Sequence, residues 1–121
     1  MIKLKRVYAP AEPADGRRFL VDRVWPRGIR KDAARVEAWL KEIGPSNELR
    51  TWFGHDPRRW AEFRRRYRRE LDAHRDLLAP LLAAARQGDI TLVYSARDED
   101  HNQAVVIRDV LEERLKAASV G

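Results

Sequence analysis

Apolar and polar positions alternate at the start of the chain: Ile2, Leu4 and Arg6 fall on one face, and Lys3, Lys5 and Val7 on the other. A period of two is the strand period, so residues 2–8 are predicted to form a strand with one wet face, near a sheet edge. Pro10, Pro13 and Gly16 then exclude helix and central strand, leaving a surface loop. Two later runs are apolar without alternation. Phe19-Leu20-Val21, within residues 18–24, ends at Asp22 and Arg23, and Ile90 to Tyr94 follows Gly88 and stops at Ser95. Both are too short for helices and too continuous for half-exposed strands, so both read as strands covered on two faces.

The pattern between these strands has a helical period. Val36, Trp39, Leu40 and Ile43 fit one face of a short helix ending at Gly44 and Pro45, and Ser46 is the predicted N-cap of the next, NELRTWFG. Asp56-Pro57 is a helix start, because aspartate caps and proline at the first position loses no needed N–H. From there to about Ala73, Trp60, Phe63, Tyr67 and Leu71 share an arc, with Arg58, Arg65, Arg66 and Arg69 opposite. A further helix runs from Asp76 to Gln87, with Pro80 near its first turn and Gly88 past its end. The last carries Ala104, Ile107, Val110 and Leu111 on one face, with Asp100 and Gln103 as a capping box. Strand, helices, strand, helix is the α/β order. The expectation is a small, mostly parallel sheet flanked by helices on both faces, in one domain over residues 1–121.

Composition narrows the chemistry. The 121 residues include no cysteine, which excludes disulfides, Cys-ligated zinc or iron–sulfur centres, a cysteine nucleophile and a persulfide carrier. No run approaches a membrane span and no secretory signal is present, so a cytoplasmic protein with no membrane partner is expected. The net charge of +6 is uneven: residues 1–50 carry +5, 51–88 carry +4 and 89–121 carry −3. The densest basic run, RRRYRR, lies on the helix over 57–73. Its Tyr67 belongs to the apolar stripe, and Glu62–Arg66, Arg66–Glu70 and Arg68–Asp72 stand at i, i+4. A solvated, self-paired face therefore accounts for it better than a nucleic-acid surface, which stays as the alternative.

Ligands of open α/β sheets bind beyond the carboxyl ends of the parallel strands. Two segments qualify, Asp22 to Gly28 and Ser95 to Asn102, and parallel strands would bring them to one rim. Arg23, Arg27 and Arg97 would hold an anion with the first N–H groups of the last helix. His101 would serve as acid or base, oriented by Asp22 or Asp98, with Ser95 the only hydroxyl where a thiolate would otherwise stand. His55, Asp56, Asp22, Asp98 and His101 lack the i, i+3 or i, i+4 histidine spacing of a helical metal site, so no metal ligand is assigned. His74, at a helix end, needs no role beyond its dipole.

Three blocks in order, VDRVWPRG, GPSNELRTWFGHDP and TLVYSARDEDHNQAVV, carry a resemblance over essentially the whole chain. The sequence resembles the domain-of-unknown-function family 488, in its short YeaO-like branch. Gly44-Pro45-Ser46 stands where that family often has Ala-Pro-Ser, and Ser95-Ala96-Arg97-Asp98 where it often has Ser-Ala-Lys-Asp. The longer branch tends to carry Cys-His-Arg near His101-Asn102, so no role resting on that cysteine transfers. The resemblance implies a small cytoplasmic α/β protein and points to Asp22, Arg23, Trp25, Pro26, Arg27, Gly28, His55, Asp56, Ser95, Asp98, His101 and Asn102. The expectation is a small anionic or phosphorylated ligand at the rim between the Trp25 and His101 loops, with hydrolase or transferase chemistry open. A nucleic-acid-binding module and a regulatory interaction protein are the alternatives; cofactor and oligomeric state are left open.

Overall fold

The computed structural model describes residues 1–120. Strands β1 (Ile2–Arg6), β2 (Arg17–Leu20), β3 (Ala38–Trp39) and β4 (Ile90–Tyr94) form one sheet in the order β1-β4-β2-β3. Every pairing is parallel, as the α/β pattern predicts. In one row Leu4 opposes Leu92, Leu92 opposes Phe19, and Phe19 opposes Ala38; the next row runs Lys5, Val93, Leu20, Trp39. Successive rows point to opposite faces, so the sheet sorts its side chains into two cores.

The larger core lies on the face of Ile2, Phe19, Val21, Ile90, Leu92 and Tyr94. It takes in side chains from α1 (Asn47–Phe53), α2 (Trp60–Ala73), α3 (Ala79–Gln87) and α4 (Gln103–Val120). Phe63, Tyr67 and Leu71, from the stripe predicted for α2, are buried there, and Trp60 packs at its margin. The Tyr67 hydroxyl donates to the Ile43 carbonyl at 2.6 Å, satisfying a polar atom that burial would otherwise penalise.

The opposite face is also covered, as five buried residues in β4 require, but by irregular chain in place of α-helix. Leu20, Val93 and Val7 pack with Ala34, Trp25, Ile29, Val36 and Trp39. Beside them Asp15 receives Lys5 and Arg18, each at 2.7 Å, and Thr91 donates to the Asp15 carbonyl at 2.7 Å. The Lys3–Lys5 face of β1 is therefore not wet: Lys3 reaches the Ala14 carbonyl, and the loop predicted over 9–16 folds across it. Prolines and glycines in the covering segments disfavour helix, so the cover is built from turns. Gly16, at φ 65°, passes so close to Asp89 that a Cβ would lie 2.2 Å from its carbonyl oxygen.

One predicted helix is replaced. Residues 36–43 form β3 and a 3-10 turn, Lys41–Ile43, because the edge of β2 offers partners: Glu37 N donates to Arg18 O at 2.7 Å and Leu40 N to Leu20 O at 2.8 Å. The apparent helical spacing arises because Val36 and Trp39 turn to the smaller core while Leu40 and Ile43 turn to the larger. Other starts agree with their signals. Ser46 Oγ accepts from Leu49 N at 3.2 Å, and Asp56 accepts from Arg58 N at 3.0 Å ahead of a 3-10 turn that leads into α2. Before α4, Asn102 replaces the expected Asp100–Gln103 box, its Oδ1 accepting from Ala104 N at 3.0 Å and Val105 N at 3.3 Å.

The arginines of α2 are paired, though not all as the spacing predicts. Glu62 holds Arg65 and Arg66. Glu70 instead caps Ser46, accepting from its N at 2.9 Å and Oγ at 2.6 Å. Arg68 reaches Glu113, Arg64 reaches Asp109 at 3.5 Å, and Asp72 takes Arg114 at 3.0 Å, so ion pairs join α2 to α4. Among the described residues no helix is long and apolar enough to cross a membrane.

Candidate functional site

Because β2 and β4 are parallel neighbours, the chain leaves both at the same rim. Between the two loops lies a cleft of about 130 Å³, with α1 and the following turn forming its third wall. The cleft brings together Asp22, Arg23, His55, Ser95, His101 and Asn102 of the residues singled out by sequence, and adds Arg50, Phe53, Phe63 and Gln103.

Asp22 sits where β2 ends and is 6% exposed. One carboxylate oxygen accepts from Ser95 N at 3.1 Å and the other from Gln103 Nε2. Burial raises its pKa above the ordinary carboxylate value, partly opposed by hydrogen bonds from Ser95 and Gln103 and by the charge of Arg50. Its own carbonyl takes Trp39 Nε1 at 2.7 Å, which ties the rim to β3.

Arg23 is spent on structure. Its Nε donates to Pro45 O at 2.7 Å and Nη2 to Gly44 O at 2.8 Å, fastening the rim to the chain that enters α1. Arg50, the fourth residue of α1, faces the cleft; no side-chain hydrogen bond or ion pair engages it among the described residues. The other arginines expected to hold an anion lie elsewhere. Arg27 is exposed, its carbonyl accepting from Tyr8 at 2.9 Å, and Arg97 borders a separate shallow hollow with Arg6, Tyr8 and Ser95. Trp25 braces the smaller core, donating to Ile29 O at 2.7 Å and meeting Trp39 edge-on at 5.2 Å, and Gly28 turns the loop at φ 75°.

The loop before α4 is organised by Asp98. Its Oδ1 accepts from Asp100 N at 3.0 Å and His101 N at 3.1 Å, and its Oδ2 meets His101 Nδ1 at 2.9 Å. That contact holds the Asp98 carboxyl below its ordinary pKa. A proton on Nδ1 directed at the carboxylate leaves Nε2 with the lone pair, and the ring lies edge-on to Trp60 at 5.2 Å. Asn102 Nδ2 donates to Asp98 O at 2.9 Å while its Oδ1 occupies the first N–H groups of α4, so those groups are not available to an anion. His55 stands at the mouth in left-handed backbone, φ 57°, just after Gly54 ends α1 at φ 53°. That geometry costs a non-glycine residue on the order of 1 kcal/mol.

The arrangement has a carboxylate–imidazole pair but no assembled nucleophile: Ser95 meets Asp22 through its backbone N–H, and among the described residues no hydrogen bond joins it to His101. No group of three or more potential metal ligands occurs among the described residues. Arg50, Phe53, Phe63 and Gln103 escaped the sequence reading. Phe53 and Phe63 read as core, Gln103 as a cap, and no local pattern separates Arg50 from the other arginines. The one available signal was its place inside the block GPSNELRTWFGHDP.

Comparison with known proteins gives one family. Residues 1–120 match DUF488-N3i, described as the inactive DUF488-N3 subclade. Uncharacterized protein YeaO of Escherichia coli is 46% identical over 110 residues, 91% of this chain and 96% of its own length. Uncharacterized protein Rv3073c of Mycobacterium tuberculosis is 42% identical over 113 residues, 93% of this chain and 95% of its own. No solved structure matches the chain.

Proposed function

Because the chain belongs to the inactive DUF488-N3 subclade, we propose that its rim cleft binds a small anionic or phosphorylated ligand without transforming it. Arg50 carries this reading. It is an exposed guanidinium turned into a cleft, with no ion pair among the described residues, in a protein where most neighbouring arginines are already matched. Guanidinium offers an oxyanion two parallel donors. Its position on α1 rather than a loop end, with Arg23 pinning the start of α1 to the rim, favours a preformed site. His101 Nε2 and His55 add hydrogen-bonding capacity at the wall and mouth.

A non-catalytic reading is preferred to hydrolase or transferase chemistry because, among the described residues, no hydrogen bond joins Ser95 to the His101 imidazole, whose Nδ1 faces Asp98. Calorimetry with inorganic phosphate and with ethyl phosphate tests the proposal. Arg50→Gln removes a charge-assisted interaction of about 1.5–3 kcal/mol, so affinity is expected to fall at least tenfold. The fold should be unaffected, since surface substitutions away from packing change stability by about 0.5 kcal/mol or less. Equal binding by the variant and the parent would sink the proposal.

A further inference from the structure

The cleft holds two opposite charges that do not meet. Asp22 lies at its inner wall, buried, and Arg50 lines the same small space, near enough for its charge to act on the Asp22 carboxyl. No ion pair joins them, although arginines elsewhere are ion-paired, as Arg18 is with Asp15 and Arg68 with Glu113. The arginine next in line, Arg23, does not neutralise Asp22 either, since its guanidinium is committed to two carbonyls.

A carboxylate has room for about four hydrogen bonds. Ser95 N and Gln103 Nε2 supply neutral donors, and neither is a cation. A buried carboxylate held only by neutral donors favours a positive or N–H-rich group brought to it from outside. The same cleft is also lined by the apolar side chains of Phe53, Phe63 and Ala96. Such a lining suits a short carbon spacer.

We propose that the ligand is bipolar: an ammonium or N–H donor head docks on Asp22 while an oxyanion, phosphate or carboxylate, docks on Arg50, with a short apolar link between. This deepens the anion-site reading and rests on it. It names Asp22 as the residue that selects among anions, a role distinct from the orienting of His101 that sequence alone suggests for it.

The test compares three probes on the intact protein by calorimetry, with amide chemical shifts to place them: ethyl phosphate, O-phosphoethanolamine and ethanolamine. The parent is expected to bind O-phosphoethanolamine at least tenfold more tightly than ethyl phosphate, and ethanolamine more weakly than either. Shifts should reach Ser95 and Gln103 only when the amine is present. In Asp22→Asn the advantage of the amine should vanish while ethyl phosphate still binds. The probe comparison on the parent needs no variant and decides the matter even if Asp22→Asn folds poorly. Equal affinity for the two phosphates overturns the bipolar assignment and leaves the anion site standing. Failure of every probe to bind, with Arg50→Gln indistinguishable from the parent, overturns both.

Discussion

Single residues set two carboxylates at opposite ends of the same fold to opposite electrostatic fates. Asp15 is 3% exposed. Burial alone would raise its pKa, but hydrogen bonds from Lys5, Glu12 N and Arg18 outweigh that and hold it at about 2, against an ordinary 3.8. A carboxyl whose folded pKa is depressed contributes stability that is complete above the ordinary value and lost as pH falls through the folded one. Denaturant unfolding is therefore expected to show this contribution intact at neutral pH and disappearing between about pH 4 and 2. Asp15→Asn would leave Lys5 and Arg18 without their buried anion, a loss of about 3–5 kcal/mol at neutral pH, and its stability should change less over that acid range. Asp22 has the reverse sign: its raised pKa means that folding favours the acid form, and its contribution declines as pH rises through the folded value. At this scale sequence was partly informative. Asp22 stood out as a polar residue ending an apolar strand, whereas Asp15 looked like part of a solvated loop, because its partners lie ten residues back and three ahead and meet only when the loop folds over β1.

Elements join the two loops of the rim, and α4 is the one whose start shapes the site. Asn102 caps it, and through Nδ2 also closes the turn that presents His101. Asn102→Ala is expected to cost about 1 kcal/mol for the lost cap, with some addition for the freed Asp98 carbonyl. Thermal unfolding would measure the loss, and the His101 ring resonances should broaden or shift as the loop relaxes. A substitution with the stability cost but an unmoved His101 would show that Asp98 alone orients the ring. Caps were legible at Ser46 and Asp56, where a polar residue sits immediately before a helical period. Before α4 six consecutive polar residues, Arg97 to Asn102, compete, and backbone geometry, not composition, chose among them.

The whole molecule decides what the charge is for. Its +6 suggested an electrostatic surface, but the arginines of α2 are largely consumed by Glu62 and by the acids of α4. Arg59 and Arg66 also lie over Trp52, at 5.3 and 4.4 Å, as cation–π partners. An anisotropy titration with duplex DNA is accordingly expected to show no saturable binding at physiological salt. Steep, salt-dependent binding would restore the nucleic-acid reading. The same pairs are half-buried to exposed and screened by solvent, so each contributes little. Their sum orients α2 against α4 more than it stabilises either.

Sequence by itself determined the strands β1, β2 and β4, the capped start of α1, the Asp56 cap of the turn leading into α2, the absence of thiol chemistry and the meeting of the Asp22 and Ser95 loops. Each depends on local periodicity or on the rule that parallel strands share a rim. Tertiary structure alone decided that residues 38–39 pair with β2, that turns rather than helices cover the second face, and that Arg23 braces the site while Arg50 faces it. Those outcomes depend on which backbone edge, carbonyl or carboxylate lies within reach after folding. A pair such as Arg23 and Pro45, or Asp22 and Gln103, is set by the approach of distant segments and leaves no period in the chain.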